Sequence, residues 1–381
     1  MKDSENTICL NMIVKNESKV IKRCLKSVKK LIDYWVIVDT GSTDNTKEIL
    51  KEFMKEIPGE LYEREWKNFA YNRNEALELA KNKGDYLLII DADEELVFEK
   101  DFILPNLEKD LYCIVSNFNG RKHTRKSLVY SMLNWKWRGV VHEIIESDEQ
   151  RTCSVLKGVE NIYRKEGCRS QDPNTYYKDI QLLLEELEKN PKDERSVFYL
   201  AQSYLDAKHY DKAIEFYKKR SEMTGFDDEV YLSYFLIGKI ALHKKKDPQT
   251  FIRNMYKAYS CSPNRAEPLY CLANYYRKQG MFSEAYTLAT LGLRIPCPSN
   301  FIEIEFWVYE YGMLYESFES AFALKRYVDV LLTYARLLNI PDLPVEIKEK
   351  INEKIKPLEA DIFSGKIKGI KAKIGETIKV S

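Results

Sequence analysis

The sequence predicts a Rossmann-like α/β domain followed by an all-α domain of repeated helical hairpins. Up to about residue 165 short apolar runs alternate with helix-patterned stretches, and from about residue 175 strand signals give way to paired helices. Register supports the second half, because AQSYL, GKIAL and ANYYR place Ala201, Gly238 and Ala273 in corresponding positions, 37 and 35 residues apart. The expected division is residues 1–165 for the α/β domain, 175–340 for the helical repeats and 341–381 for a C-terminal tail with a helix.

Thr7–Val14, Tyr34–Val38, Tyr86–Ile90 and Leu111–Val115 are short runs rich in β-branched and aromatic residues, so they read as buried strands. Between the first two, Val20, Ile21, Cys24, Leu25, Val28 and Leu31 recur at helical spacing. TKEILKEFM and FAYNRNEALELAKN supply helices before the third strand. Strand–helix–strand alternation implies a parallel sheet that binds ligands at the carboxyl ends of its strands.

In the helical half, Leu200, Ile237 and Leu272 precede the register positions, and Tyr204, Ala241 and Tyr276 follow three residues after them. Ala213 and Ala285 match in the second helices. This is the grammar of a helix–turn–helix repeat with a period of about 34, in which small residues let antiparallel helices approach closely. The middle repeat is weaker, with Thr250 where an Ala is expected and a slight insertion. FWVYEYGMLYESFESAFAL and RYVDVLLTYARLL form a fourth pair. A generic helical bundle is the competing reading.

The 381 residues carry 60 Lys+Arg against 59 Asp+Glu, a net charge of +1, so no global field recruits nucleic acid or an anionic membrane. The N-terminal apolar run is too short and polar for a signal peptide, and no later run reaches the roughly 18 apolar residues of a membrane span. A cytoplasmic protein without an integral membrane segment is expected. The eight cysteines show no CxxC pair and read as reduced, mostly buried thiols.

Three stretches could carry chemistry. DTGSTDNT (Asp39–Thr46) follows a strand and opens a helix, with Gly41 in the turn. It is either a well-capped turn or a site where Asp39 accepts hydrogen bonds from a nucleoside, with Ser42 beside it. DADEE (Asp91–Glu95) empties a second strand into four carboxylates within five residues. Such an oxygen-only cluster suits Mg²⁺ or Mn²⁺ bridging substrate phosphates, with Asp91 and Asp93 on one side; a solvated acidic loop is the alternative. WKWRGVVHE (Trp135–Glu143) offers Arg138 for a phosphate, His142 for a metal or diphosphate, and Glu143 as a general base. Read structurally, it is an aromatic-rich strand. Arg73 and Asn74 near the start of their helix are placed to meet an anion, as a plain surface helix face also would be. There is no GxGxxG or P-loop.

Taken in order, IVKNE, DTGSTDNT, W..FA..RN, DADE and W.G.VHE resemble the family-2 inverting glycosyltransferases of GT-A-type fold. The match runs from Thr7 to Glu143 and continues into a tetratricopeptide-type half, where PNRAEPLYCLA and VYEYGMLYE are also similar. Bacterial and viral proteins of this architecture, and peptide S-glycosyltransferases of sublancin type, share it.

The resemblance implies that Asp39 contacts the nucleoside and Asp91 the ribose or sugar. It further implies that Asp93 ligands a metal on the diphosphate, and that Asn16 and Glu17 border the nucleotide. Trp137, Gly139, His142 and Glu143 would line the acceptor side. NIYRKEG (Asn161–Gly167) lacks a His that relatives often place there, which turns attention to His142 as a ligand.

Residues and resemblance together predict a metal-dependent, inverting transfer from a nucleoside-diphosphate sugar, a UDP-sugar above all. The helical repeats would hold a peptide or protein acceptor. The alternatives are a glycan or lipid-linked acceptor with repeats that only pair two copies of the chain, and a non-catalytic scaffold.

Overall fold

A computed structural model describes residues 5–363 apart from 54, 119–120, 245–246 and 299–302, so residues 364–381 of the expected tail lie outside the described residues. The chain divides into two compact units at the His209/Tyr210 boundary. No helix among the described residues is long and apolar enough to cross a membrane.

The first unit begins with β1 (Ile8–Val14), α1 (Ile21–Val28), β2 (Tyr34–Asp39), α2 (Thr46–Phe53), β3 (Gly59–Glu63), α3 (Phe69–Ala80) and β4 (Tyr86–Ile89). It continues with β5 (Glu94–Phe98), β6 (Leu111–Phe118), β7 (Arg121–Tyr130), β8 (Lys136–Arg138), β9 (Ile144–Glu146) and β10 (Cys153–Tyr163). Helices α4 (Cys168–Gln171), α5 (Thr175–Lys189) and α6 (Glu194–Asp206) complete it, so the first helical hairpin belongs to the same unit as the sheet.

Eight strands form one sheet in the order β3-β2-β1-β4-β7-β6-β10-β5. The sheet is mixed rather than parallel throughout: β3, β2, β1 and β4 run parallel, whereas β7 is antiparallel to both β4 and β6. Period-two alternation feeds two cores. Leu10, Met12, Ile37 and Leu88 face one side with Ile21, Leu25 and Leu50 of α1 and α2. Cys9, Val36, Leu87 and Ile89 face the other, with Leu77 and Ala80 of α3 and with Trp135 and Trp137. In α1 the buried residues Ile21, Cys24, Leu25 and Val28 make a single stripe.

The four strands read from sequence are present. β3 escaped because GELYE is a half-buried edge strand with Glu at both polar positions. β7 escaped because RKHTRKSLVY is polar over most of its length. All eight cysteines are free, but only Cys9 and Cys24 are buried; Cys153, Cys168, Cys261 and Cys297 are exposed, which corrects the expectation of mostly buried thiols.

The second unit is helical among its described residues: α7 (Tyr210–Ser221), α8 (Asp227–His243), α9 (Pro248–Cys261), α10 (Glu267–Lys278) and α11 (Phe282–Gly292). A π-helical turn over Val308–Gly312 then leads into α12 (Met313–Ala323), α13 (Tyr327–Leu338) and α14 (Val345–Phe363). Gly238 lets α8 and α9 approach closely, since a Cβ there would lie 2.5 Å from the Met255 methyl and that side chain would have to shift. In α9 Thr250 is half-buried and Phe251 fully buried, so the insertion shifts the inward face by one residue.

PNRAEPLY and VYEYGMLYE turn out to be joined. Buried Arg265 pairs with buried Glu267 at 2.8 Å, and Tyr309 donates to Glu267 at 2.6 Å. Arg277 and Asn274 of α10 both bond Glu316 of α12, at 2.7 Å. The resemblance in these segments therefore reflects a buried polar staple between consecutive hairpins.

Candidate functional site

Three neighbouring parallel strands, β2, β1 and β4, end side by side. Their carboxyl ends carry Asp39, then Asn16 and Glu17, then Asp91 and Asp93, so the topology alone gathers five of the residues singled out from sequence.

The loops after β1 and β2 are laced together. Asp39 is fully buried, and its Oδ1 accepts from the backbone N–H groups of Gly41 and Ser42 at 2.9 and 2.7 Å. Gly41 takes a φ of 103°, a left-handed turn suited to glycine. Asp39 Oδ2 is buried with no hydrogen-bond partner in the protein. The Ser42 hydroxyl accepts from Asn16 N at 2.8 Å, and Asn16 Oδ1 accepts from Thr43 N at 2.7 Å. The Thr46 hydroxyl accepts from Glu17 N at 2.8 Å. Asp44 accepts from the backbone of Ser18 and from Thr46, and these bonds outweigh burial and hold its carboxyl down to about 2.

Beyond β4 a ladder of charges alternates in sign. Arg73 of α3 donates from Nε to Glu143 Oε1 and from Nη2 to Asp91 Oδ1, both at 2.6 Å. Arg125 of β7 donates to Asp91 Oδ2 at 2.8 Å and to Glu94 Oε1. Arg73 also lies over the Trp137 ring, 4.9 Å from its centroid. Burial would raise the Asp91 carboxyl, but the two guanidinium groups outweigh it and hold it well below the usual range.

Arg125 was not legible in the sequence. An inward Arg on a polar strand beside an oversupply of carboxylates was the clue. Glu94, the inner rung, was hidden inside DADEE.

Asp93 and Glu17 have the opposite electrostatics. Asp93 accepts from Gly167 N at 3.2 Å, and burial followed by the Asp91 charge pushes its carboxyl up. A Cβ on Gly167 would stand 2.9 Å from Asp93 Oδ2, so a glycine is needed there for close approach. Glu17 accepts from Cys168 N, and burial, with Asp93, Asp91 and Asp44 nearby, pushes it up to about 7. These two carboxyls sit in an excess of negative charge.

Two expected assignments find no support in this geometry. Both Asp91 oxygens are taken by arginines, and His142 stacks on Tyr199 of α6 at 4.4 Å, so Asp91, Asp93 and His142 do not assemble as a three-ligand set. Among the described residues no group of three or more His, Cys, Asp or Glu could hold a metal ion. Arg138 is 65% exposed and pairs with Glu146 at 2.6 Å, away from the ladder.

Asn74 of α3 anchors β8 through a reciprocal pair of bonds to the Trp137 backbone, at 2.9 and 2.8 Å. The Gly139–Glu143 loop between β8 and β9 then returns Glu143 to Arg73, leaving its side chain 11% exposed. His142 is exposed to solvent on one side, yet protein surrounds most of its ring. That crowding, together with Arg169 and Arg195, pushes its ring down to about 4.

Residues 9–137 match the family described as Glycosyl transferase family 2. Over 93 residues the chain is 40% identical to a TPR repeat-containing protein of Synechococcus elongatus, covering 24% of this chain and 22% of that protein. It is likewise 40% identical over 93 residues to the SPbeta prophage-derived glycosyltransferase SunS of Bacillus subtilis, covering 24% and 21%. The matched segment thus spans about a fifth of the length of these curated relatives. The crystal structure of S. aureus TarS 1–349 in complex with UDP-GlcNAc aligns with 67% of this chain and 91% of its own, at 15% identity and a TM-score of 0.38.

Proposed function

We propose that this chain, whose residues 9–137 form a family-2 glycosyl transferase domain, moves a sugar from a nucleoside-diphosphate donor to an acceptor nucleophile with inversion. The observation that carries the reading is the convergence, at three adjacent strand ends, of a buried half-satisfied Asp39 with the Glu143–Arg73–Asp91–Arg125–Glu94 ladder.

Asp39 Oδ2 is a buried acceptor in want of a donor, the chemistry offered by the imide N–H of a uracil base, which favours a UDP-sugar. Asn16, Glu17 and Ser42 shape the same pocket from the two loops. Asp91 orients Arg73 and Arg125, whose positive charge favours the departing diphosphate.

A divalent cation, Mn²⁺ or Mg²⁺, fits Asp93 and Glu17, because both carboxyls are pushed up by burial first and by neighbouring carboxylates second, and a cation beside them would offset both. When bound, such an ion would neutralise negative charge on the diphosphate.

In the transfer, Glu143 takes the proton of the acceptor X–H. The X lone pair then forms the bond to the anomeric carbon as the carbon–oxygen bond to the diphosphate breaks, its electron pair leaving with the nucleotide. The Arg73 bond uses Glu143 Oε1, so Oε2 is the atom that faces the acceptor. A peptide or protein acceptor is favoured by the helical hairpins, since stacked hairpins present extended binding surfaces.

The test is nucleoside-diphosphate release from a panel of nucleotide sugars with Mn²⁺. Release by the wild-type chain and its loss in Glu143→Gln support the reading, and release that persists at full rate in Glu143→Gln removes Glu143 as the base.

A further inference from the structure

The loop that delivers Glu143 is conformationally costly. Gly139 has a φ of 96° and His142, which is not a glycine, a φ of 50°, so the chain twice enters the left-handed region within four residues. Such a loop persists only where its surroundings hold it.

What holds it is α6, the second helix of the hairpin that follows the sheet. Tyr199 lies flat on the His142 ring, with centroids 4.4 Å apart and planes 16° from parallel. Arg195, one turn earlier, donates to the His142 carbonyl at 2.6 Å and lies over the Tyr199 ring at 4.7 Å. Its Nε would stand 3.8 Å from a Cβ on Gly139, so one side chain spans both ends of the strained segment. Phe198 meets Tyr199 edge-on at 5.2 Å and is itself buried, which fixes the Tyr199 ring from behind.

We propose that Tyr199 and Arg195 are positioning residues for the transfer, clamping the Gly139–Glu143 loop so that the Glu143 carboxylate meets both Arg73 and the acceptor. The inference rests on the transferase reading and adds a role for the helical hairpin: α6 completes the acceptor side of the site instead of serving as a spacer. The contacts described for the two residues run to the Gly139–Glu143 loop, to Phe198 and to each other. Their loss therefore acts on turnover and spares donor binding.

The test pairs kinetics with a structural readout. UDP release from UDP-glucose and UDP-N-acetylglucosamine, with Mn²⁺ and water as acceptor, is measured for Tyr199→Ala, Arg195→Met and Tyr199→Phe. Tyr199→Ala and Arg195→Met are expected to lose about a hundredfold in kcat, the scale of a misplacement of about 1 Å. The KM for the nucleotide sugar stays within about twofold in both, and Tyr199→Phe, which keeps the stacked ring, restores most of the turnover.

In parallel, proton NMR follows the titration of His142, one of four histidines in the chain. The groups facing its ring are Arg169, Arg195, Glu143 and Tyr199. Tyr199→Ala is expected to release the ring toward its ordinary value.

Wild-type kcat in Tyr199→Ala, an unmoved His142 titration, or equal losses of kcat and donor affinity would each overturn the proposal. If the wild-type chain releases no UDP from either sugar, it is the transferase reading that fails; the titration still decides whether Tyr199 holds the loop.

Discussion

Arg73 bonds Asp91 and Glu143 at the same distance, 2.6 Å, and so couples the end of β4 to the loop between β8 and β9 through one buried guanidinium. A fork of two N–H directions is needed for this, and a lysine ammonium does not supply it. Arg73→Met strips Glu143 of its cation while Asp91 keeps Arg125, a loss of about 3–5 kcal/mol by the usual cost of breaking a buried pair. Arg73→Lys keeps the charge and recovers only part of this. Chemical denaturation of the three proteins checks the order.

Glu143→Gln keeps the shape of the side chain and removes its basicity. Turnover is expected to fall about 10²–10⁴-fold, the usual contribution of a general base. The affinity for UDP stays close to wild type. Steady-state kinetics beside calorimetric UDP binding separates the two.

Asp39→Asn replaces one carboxylate oxygen by an amide that donates. Because Oδ2 is the buried acceptor without a protein partner, UDP binding should weaken by about 1–3 kcal/mol, roughly ten- to a hundredfold. Calorimetry with UDP reads this directly. An unchanged affinity would exclude Asp39 from the nucleotide contact.

Gly167→Ala introduces a Cβ 2.9 Å from Asp93 Oδ2, in a backbone conformation that alanine adopts freely. Overpacking of this kind costs about 1–3 kcal/mol. The displaced Asp93 should weaken the response of turnover to Mn²⁺, measured as a shift in the Mn²⁺ concentration for half-maximal activity.

His142 gives a pH dependence with a definite sign. Its ring is pushed from 6.5 down to about 4 in the folded chain, so between these values the unfolded chain binds a proton that the folded chain refuses. Stability contributed by the neutral ring is therefore present above about 6.5 and is lost as the pH falls toward 4. His142→Asn, which tolerates the left-handed φ, removes this slope. Across that window the wild-type melting temperature should fall relative to that of His142→Asn as the pH drops, and above about 6.5 the difference between the two proteins should no longer change with pH.

Much of the candidate site at the strand ends was legible because local sequence and strand order report the same thing. An apolar run ending in Asp39 or Asp91 reads as a strand end, and the structure sets those ends on either side of β1. Long-range pairing was not legible in the same way. Arg125 reaches Asp91 only because β7 returns antiparallel beside β4, and a polar strand of ten residues carries no apolar signature. The two oxygens of Asp91 were read as free for a ligand, when the fold spends both on arginines. His142 is the sharpest case: its sequence neighbours favoured a metal, whereas Tyr199, 57 residues later, takes its ring face.

The central claim is that adjacent strand ends hold a nucleoside-diphosphate sugar, and a thermal-shift panel of nucleotide sugars with Mn²⁺ tests it most directly. A ligand present at about 100 times its Kd stabilises the native state by about 2.7 kcal/mol. One nucleotide sugar should therefore raise the melting temperature selectively, and Asp39→Asn, weakening binding about ten- to a hundredfold, should cut that rise by about half or more. No shift with any nucleotide sugar or with UDP, or a shift that survives Asp39→Asn intact, would contradict the account.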